Sequence, residues 1–237
     1  MQHKNKLVLA LDLESLDEAK SLVKELKDHV GVFKVGMSMF TRYGLELVNY
    51  IHENNAKVFL DLKFHDIPNT VASAIKSAVE LGVFMCNVHT LGGKDMMKAA
   101  SVAAAEASAK KGTKPPILLG VTVLTSTSEK VLNEELFIKE NLGNFVKYLA
   151  QTAKDCGLSG VVASPQEIEI IRKSCGKDFV IVTPGVRPAW SSKDDQERIT
   201  TPRDAIKLGA DYIVIGRPIL KAKDRVKAAM DVLEEIV

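Results

Sequence analysis

Val58-Phe59-Leu60-Asp61-Leu62-Lys63-Phe64-His65-Asp66-Ile67-Pro68-Asn69-Thr70 begins as an apolar run fit for a buried strand, turns charged, and reaches a helix start at Pro68. Residues 70–81 then repeat apolar positions at helical spacing. Gly82 ends that stretch, and 83–88 form another apolar run. A run, an amphipathic stretch and a second run make one β-α-β unit with parallel strands. The same order holds outward in both directions. Strand-like runs lie at 7–11, 32–35, 58–62, 83–88, 117–122, 160–163, 180–183 and 212–215. Helical spacing appears at 17–26, through Ala19, Leu22, Val23 and Leu26, and again at 70–81, 93–109, 144–156, 165–174, 202–208 and 225–236. Glycine follows a helical stretch at Gly31, Gly82, Gly157 and Gly209, where left-handed cap geometry suits it. Eight β-then-α units suggest a closed barrel or an open doubly wound sheet. The count of eight, and the lack of G-x-G-x-x-G after the first run, favour the barrel. The fold expected is a single-domain α/β chain, a (β/α)8 TIM barrel over residues 1–237, since no linker divides it.

Composition narrows the function classes. With 46% hydrophobic and 26% charged residues, the chain reads as an ordinary soluble globular protein. Its 32 basic and 30 acidic residues give a net charge of +2 with no long run of one sign. The short pair Lys110-Lys111 is no nucleic-acid patch. Cys86, Cys156 and Cys175 are far apart and lack C-x-x-C spacing, so a disulfide framework or zinc knuckle is not expected. They suit a reducing compartment. The run 7–11 is too short for a signal peptide, and no stretch approaches the ~20 apolar residues of a membrane span. The expectation is a cytoplasmic protein with neither membrane nor nucleic-acid partners.

In a barrel, chemistry gathers at the C-terminal ends of the strands. Asp12 ends the first run and Lys34 stands near the end of the second. In the third, alternation places Asp61 and Lys63 on one face, with Leu60 and Leu62 turned to the helices. Asp66 follows just beyond. Such charges are costly to bury unless their signs alternate. A lysine held as ammonium among carboxylates can donate a proton to a carbanion-like centre. The bland alternative is a set of ion pairs closing the barrel mouth. His89, at the end of the fourth run, reads as a hydrogen-bonded structural residue, and His65 as a loop residue. A metal site built from Asp61, Asp66, His65 and His89 is opposed by the interleaved Lys34 and Lys63, which repel a divalent cation.

The last two runs lead into Thr183-Pro184-Gly185-Val186-Arg187-Pro188 and Ile215-Gly216-Arg217-Pro218-Ile219. Barrels commonly hold phosphate with the loops after these two strands. Glycines admit close backbone N–H groups and arginines add charge-assisted hydrogen bonds. The longest non-periodic stretch, 184–200, carries Asp194, Asp195, Gln196 and Arg198 and is read as a lid, with Gln196 able to bond the phosphate.

These pieces together resemble one family. Asp61-x-Lys63-x-x-Asp66-Ile67-Pro68-x-Thr70 is similar to the signature of orotidine 5′-phosphate decarboxylases, and the likeness covers essentially the whole chain. It includes Leu11-Asp12, Lys34-Val35-Gly36, Val121-Thr122-Val123-Leu124-Thr125-Ser126, the run 183–188, Asp194-Asp195-Gln196 and Ile215-Gly216-Arg217-Pro218, in the short bacterial form. The resemblance implies loss of CO2 from orotidine 5′-phosphate to give UMP, the last step of de novo UMP synthesis, with no metal or organic cofactor. It implies Lys63 as proton donor to the pyrimidine C6, Asp61 beside the substrate carboxylate, and Lys34 and Asp66 completing the charged array. It further implies Asp12 and Lys34 on the ribose, Thr125 on the pyrimidine, and Arg187, Gln196, Gly216 and Arg217 on the phosphate. A homodimer is implied as well, with Asp66, Ile67 and Thr70 reaching into the partner's site.

Three rivals stay open at this point. One is a magnesium-dependent keto-gulonate-phosphate decarboxylase-like enzyme of the same superfamily, sharing the Asp-x-Lys-x-x-Asp core. A second is a Schiff-base aldolase with Lys63 as nucleophile. The third is a non-catalytic phosphate-ligand-binding barrel. The continuation Ile67-Pro68-Asn69-Thr70 and Gln196 favour the orotidine reading over the first, and the intact Asp61, Lys63 and Asp66 speak against the last.

Overall fold

The computed structural model describes residues 2–191 and 200–236. Eight parallel strands pair in sequence order and close on themselves, β1 (Leu7–Ala10) with β2 (Val32–Gly36), then β3 (Lys57–Phe64), β4 (Met85–His89), β5 (Ile117–Val121), β6 (Gly160–Val162), β7 (Val180–Thr183) and β8 (Tyr212–Ile215), which returns to β1. This is the expected (β/α)8 barrel. The apolar runs are continuous because each strand is covered on both faces. Alternate residues serve two cores. Val8, Val32, Phe59, Met85, Leu119, Val182 and Val214 pack together inside the ring. Leu7, Leu9, Phe33, Leu60, Cys86 and Ile181 join the larger layer beneath the helices.

The helices are α1 (Leu16–Leu26), α2 (Met37–Glu53), α3 (Pro68–Glu80), α4 (Gly93–Lys111), α5 (Leu142–Asp155), α6 (Ile168–Cys175), α7 (Pro202–Leu208), the short α8 (Arg217–Leu220) and α9 (Arg225–Glu235). Side chains at the starts satisfy free N–H groups: Ser15 accepts from Glu18, Asn141 from Gly143 and Asn144, and Asp224 from Lys227. Among the described residues no helix is long and apolar enough to cross a membrane.

The sequence reading missed α2. Gly44 interrupts it with φ 46° and ψ −125°, so the apolar positions on its two sides do not share one continuous period. It also stopped the third strand at 62, two residues short of Phe64. Of the four glycines read as left-handed caps, Gly82, Gly157 and Gly209 have positive φ, and Gly31 does not. A Cβ on Gly31 would sit 2.4 Å from the Lys4 carbonyl oxygen, so close packing of the N-terminal turn requires that glycine. The long loop after β7 is anchored at both ends, where Val186 bridges Thr200 and the Arg187 N–H donates to the Thr200 carbonyl at 3.0 Å.

Candidate active site

A cavity of about 390 Å³ opens at the C-terminal ends of the strands, as the sequence reading expects. Asp12, Lys34, Asp61, Lys63, Thr125, Arg187, Gly216 and Arg217 all line it. Apolar walls come from Phe59, Val121, Val123, Val162 and Val214, to none of which the sequence reading gave a role in the site. Val121, Val162 and Val214 are the last inward residues of β5, β6 and β8, so strand alternation was the signal available for them.

The charged side of the cavity is one connected network. Asp61 Oδ1 accepts from Lys63 Nζ at 2.7 Å, and its Oδ2 lies 3.3 Å from Lys34 Nζ. Lys34 Nζ also donates to Asp12 Oδ1 at 3.4 Å. Side-chain exposure is lowest in the middle of this chain of contacts, 12% at Lys34 and 13% at Asp61, and higher at its ends, 26% at Lys63 and 66% at Asp12. The deeper groups are therefore the ones whose signs must alternate. Burial alone would push the Asp61 carboxyl upward; Lys34 and then Lys63 outweigh it, hydrogen bonds from Lys63 and Asn87 add to them, and the net effect is a lowered pKa. Asp61 is thus a fixed anion. Gly36 and Gly216 leave room around this group: a Cβ on the former would come 3.2 Å from Lys34 Nζ, and one on the latter 3.8 Å from Asp12 Oδ2.

Simple alternation is not what joins Asp61 to Lys63. Leu60 pairs with Cys86 and Phe64 with Val88, so four steps of β3 stand against two of β4. The surplus forms a bulge in which Lys63 takes φ 51°. A left-handed non-glycine residue costs roughly 1–3 kcal/mol and persists only where neighbours hold it. Asn87 is that neighbour. Fully buried on β4, it accepts from the Lys63 N–H at 2.8 Å and donates to Asp61 Oδ1 at 2.7 Å. The sequence reading passed over Asn87, a single polar residue inside an apolar run.

Asp66, Ile67 and Thr70 do not line the cavity. They lie in an unbroken exposed stretch, 65–70, and Ile67 is 67% exposed. The Asp66 carboxylate accepts from the Ile67 N–H at 2.6 Å. His65 stacks on His89, with ring centroids 5.5 Å apart. His89 Nδ1 accepts from the Leu91 N–H at 3.3 Å, the structural role expected of it. Burial, then His65, then Lys63 lower its pKa. Among the described residues no cluster of three or more His, Cys, Asp or Glu is arranged to hold a metal ion.

Across the cavity, the loops after β7 and β8 supply the other wall. Pro184, Gly185 and Arg187 come from the first, Gly216, Arg217 and Pro218 from the second. Gly185 turns the chain with φ 78°. Arg187 is buried, and Arg217 is exposed at the first residue of α8. A smaller cavity of about 240 Å³ adjoins this wall and adds Trp190, Ser191 and Lys221 to the same two arginines. Gln196, and with it Asp194, Asp195 and Arg198, lies outside the described residues. The arrangement can hold a ligand with an anionic group on one side and a reacting centre beside an ammonium on the other, with an apolar floor for a flat ring between them.

Comparison with known proteins shows the family of the whole chain. Residues 5–232 match the model of the orotidine 5′-phosphate decarboxylase / HUMPS family. A relative from Syntrophomonas wolfei, named orotidine 5′-phosphate decarboxylase, is 50% identical over 237 residues, which is 100% of this chain and 99% of the relative. One of the same name from Syntrophus aciditrophicus is 52% identical over 233 residues, covering 98% of this chain and 92% of the relative. The crystal structure of orotidine 5′-phosphate decarboxylase from Lactobacillus acidophilus superposes with a TM-score of 0.86 at 36% identity, covering 97% of this chain and 98% of that one.

Proposed function

Because the chain belongs to the orotidine 5′-phosphate decarboxylase / HUMPS family, we propose that it is the decarboxylase itself, converting orotidine 5′-phosphate to UMP and CO2 without metal or organic cofactor. This would be the last step of de novo UMP synthesis, carried out in the cytoplasm. One observation carries the reading: the Lys63 ammonium faces the cavity with Asp61 at 2.7 Å and Lys34 just behind.

The chemistry follows from that placement. The bond between C6 and the carboxylate breaks, CO2 departs, and the electron pair stays on C6. The pyrimidine offers no ready sink for that charge. An ammonium fixed beside C6 stabilises it as it forms and then gives up a proton to make the new C–H bond. Lys63 is the donor, and solvent restores its proton. Asp61, held as an anion, stands beside the departing carboxylate. Asp12 and Lys34 take the ribose hydroxyls and Thr125 the pyrimidine. Arg187, Gln196, Gly216 and Arg217 take the phosphate, whose binding energy is realised in the closed transition-state complex.

The dimer belongs to the same proposal. Asp66, Ile67 and Thr70 sit on an exposed rim rather than in their own cavity, and a second copy of the chain would cover Ile67 and receive Asp66 in its own charged array. Against a magnesium-dependent reaction stands the occupancy of Asp61: both its oxygens already face lysine ammonium groups, which a divalent cation would have to displace. Against an aldolase stands the Lys63–Asp61 ion pair, since a Schiff-base lysine must attack as the neutral amine.

The test is direct. Chelator-treated protein is incubated with orotidine 5′-phosphate and the loss of its ultraviolet absorbance is followed. Full turnover is expected. Activity that returns only with added magnesium would transfer the chain to the rival decarboxylase, and borohydride trapping of substrate on Lys63 would transfer it to the aldolase.

A further inference from the structure

We propose that Asn87 is a positioning residue of this decarboxylase, one carboxamide that fixes both the backbone of the proton donor Lys63 and the carboxylate of Asp61. The inference rests on the reading of Lys63 given above and goes beyond it. Four backbone steps of β3, from Leu60 to Phe64, run against two of β4, from Cys86 to Val88. Lys63 is lifted off the ladder by this bulge with φ 51°, which leaves its N–H in need of an acceptor. Asn87 Oδ1 accepts it at 2.8 Å. The Nδ2 of the same side chain donates at 2.7 Å to Asp61 Oδ1, the oxygen that also receives Lys63 Nζ at 2.7 Å. A closed ring results: Lys63 main chain, Asn87, Asp61, Lys63 side chain.

The role needs an amide. A backbone N–H can only donate, so the oxygen of Asn87 must face Lys63 and its nitrogen must face Asp61. Leucine would satisfy neither contact, and aspartate would satisfy only the first. Asn87 is fully buried and does not line the cavity, so it acts through its two neighbours and not on substrate. The charged groups around Asp61 are Lys34 on β2, Lys63 on β3 and, through Lys34, Asp12 just beyond the end of β1. The stacked His65 and His89 stand beyond Lys63.

The experiment compares wild type with Asn87→Ala and Asn87→Asp, each verified as folded by circular dichroism and assayed on orotidine 5′-phosphate across pH. A displacement of about 1 Å in a reacting group can cost roughly 10²-fold in rate. For Asn87→Ala the expected result is a fall of that order in kcat, with KM changed by less than about threefold because the phosphate wall is untouched. Asn87→Asp keeps the acceptor for Lys63 and sets a second carboxylate against Asp61. The acidic limb of its kcat profile should move up by about one pH unit or more, since neighbouring carboxylates share a proton. In the wild-type chain the Lys63 amide proton should exchange slowly with solvent, a readout independent of the reaction and of whether either variant folds. A folded variant with wild-type kcat and an unshifted profile would overturn the proposal, as would free exchange of the Lys63 amide. Wild-type protein that fails to decarboxylate without metal would instead sink the functional reading, and the amide measurement would still test the Asn87–Lys63 contact on its own.

Discussion

Asp61 and Glu167 are carboxylates largely withdrawn from solvent at the same end of one barrel, Asp61 within β3 and Glu167 in the turn between β6 and α6. Asp61 is surrounded by Lys34, Lys63 and Asn87, and its pKa is lowered in spite of burial. Glu167 receives the Ser164 N–H at 2.9 Å, and no ion pair among the described residues reaches it. Burial therefore raises its pKa to about 7. The depth of a carboxylate does not set its charge; the cations placed beside it do. The half of the mouth around β1 to β4 holds opposite charges in contact before any ligand arrives. The half around β7 and β8 turns Arg187, Arg217 and the glycines Gly185 and Gly216 toward the cavity, a wall suited to an anionic group of a ligand.

Removing the central cation breaks the contrast most severely. Lys63→Ala takes away both the proposed proton donor and one of the two ammonium groups on Asp61. A general acid contributes about 10²–10⁴-fold and a fixed charge at the developing anion about 10²–10³-fold, so kcat should fall by at least about 10⁴-fold. The fold should survive, because the inner and outer cores do not include Lys63. Single-turnover assays with circular dichroism check both halves of the prediction; retained turnover would remove Lys63 from the chemistry.

The proposed dimer sharpens the comparison, since in it the charged half would be completed from outside and the arginine half would not. Asp66→Ala should also be close to inactive although Asp66 lies outside its own cavity. Mixing inactive Asp66→Ala and Lys63→Ala chains after dissociation should then restore about a quarter of the wild-type sites, because half the dimers are mixed and each carries one intact site. A mixture that stays dead, or a strictly monomeric active enzyme in sedimentation, would place every required group on one chain.

Arg217→Ala tests the opposite wall and should act differently in kind. Losing a charge-assisted contact of about 1.5–3 kcal/mol corresponds to a fall of roughly 10–10²-fold in kcat/KM, with KM raised. A truncated substrate lacking the phosphate should be indifferent to the substitution. If that substrate suffers as much as the full one, Arg217 serves the structure of the loop and not the anion.

The two halves also differed in how far sequence alone could carry them. Strand count, strand order and the inward placement of Asp12, Lys34, Asp61 and Lys63 were readable, because buried parallel strands are continuous apolar runs and strand ends carry the chemistry. The bulge at Lys63 was not. Alternation predicted the right neighbours for a local reason that does not hold, since a left-handed residue leaves no mark in a hydrophobic pattern. Asn87 was hidden for a related reason: one polar residue in an apolar strand does not reveal which backbone group across the ladder it serves. The helix α2 was lost to Gly44, which divides its period. The place of Arg187 and Arg217 on the cavity wall was legible from the Gly-x-Arg and Gly-Arg sequences after the last two strands, because the loops at strand C-terminal ends form the mouth of a barrel.

Glu167 gives the mildest test, read in stability instead of rate. Its folded pKa of about 7 stands above the ordinary 4.5, so between these values the folded chain holds a proton that the unfolded chain has lost. Stability must then fall as pH rises through that window and level off above it. The shift sets an upper bound of about 3 kcal/mol on the loss, and relaxation around the new charge reduces the expected change to about 1–2 kcal/mol. Glu167→Gln removes the titration yet keeps an acceptor for the Ser164 N–H. Urea unfolding at pH 5 and pH 8 should therefore give the variant a growing advantage over wild type as pH rises. Asp61, with its pKa displaced the other way, contributes stability that is present above its ordinary value of 3.8 and is lost only as pH falls through the lower folded value, so it cannot mimic this trend. An advantage that is equal at both pH values would mean that Glu167 is ionised throughout, with water or a cation beside it, and the contrast between the two buried carboxylates would vanish.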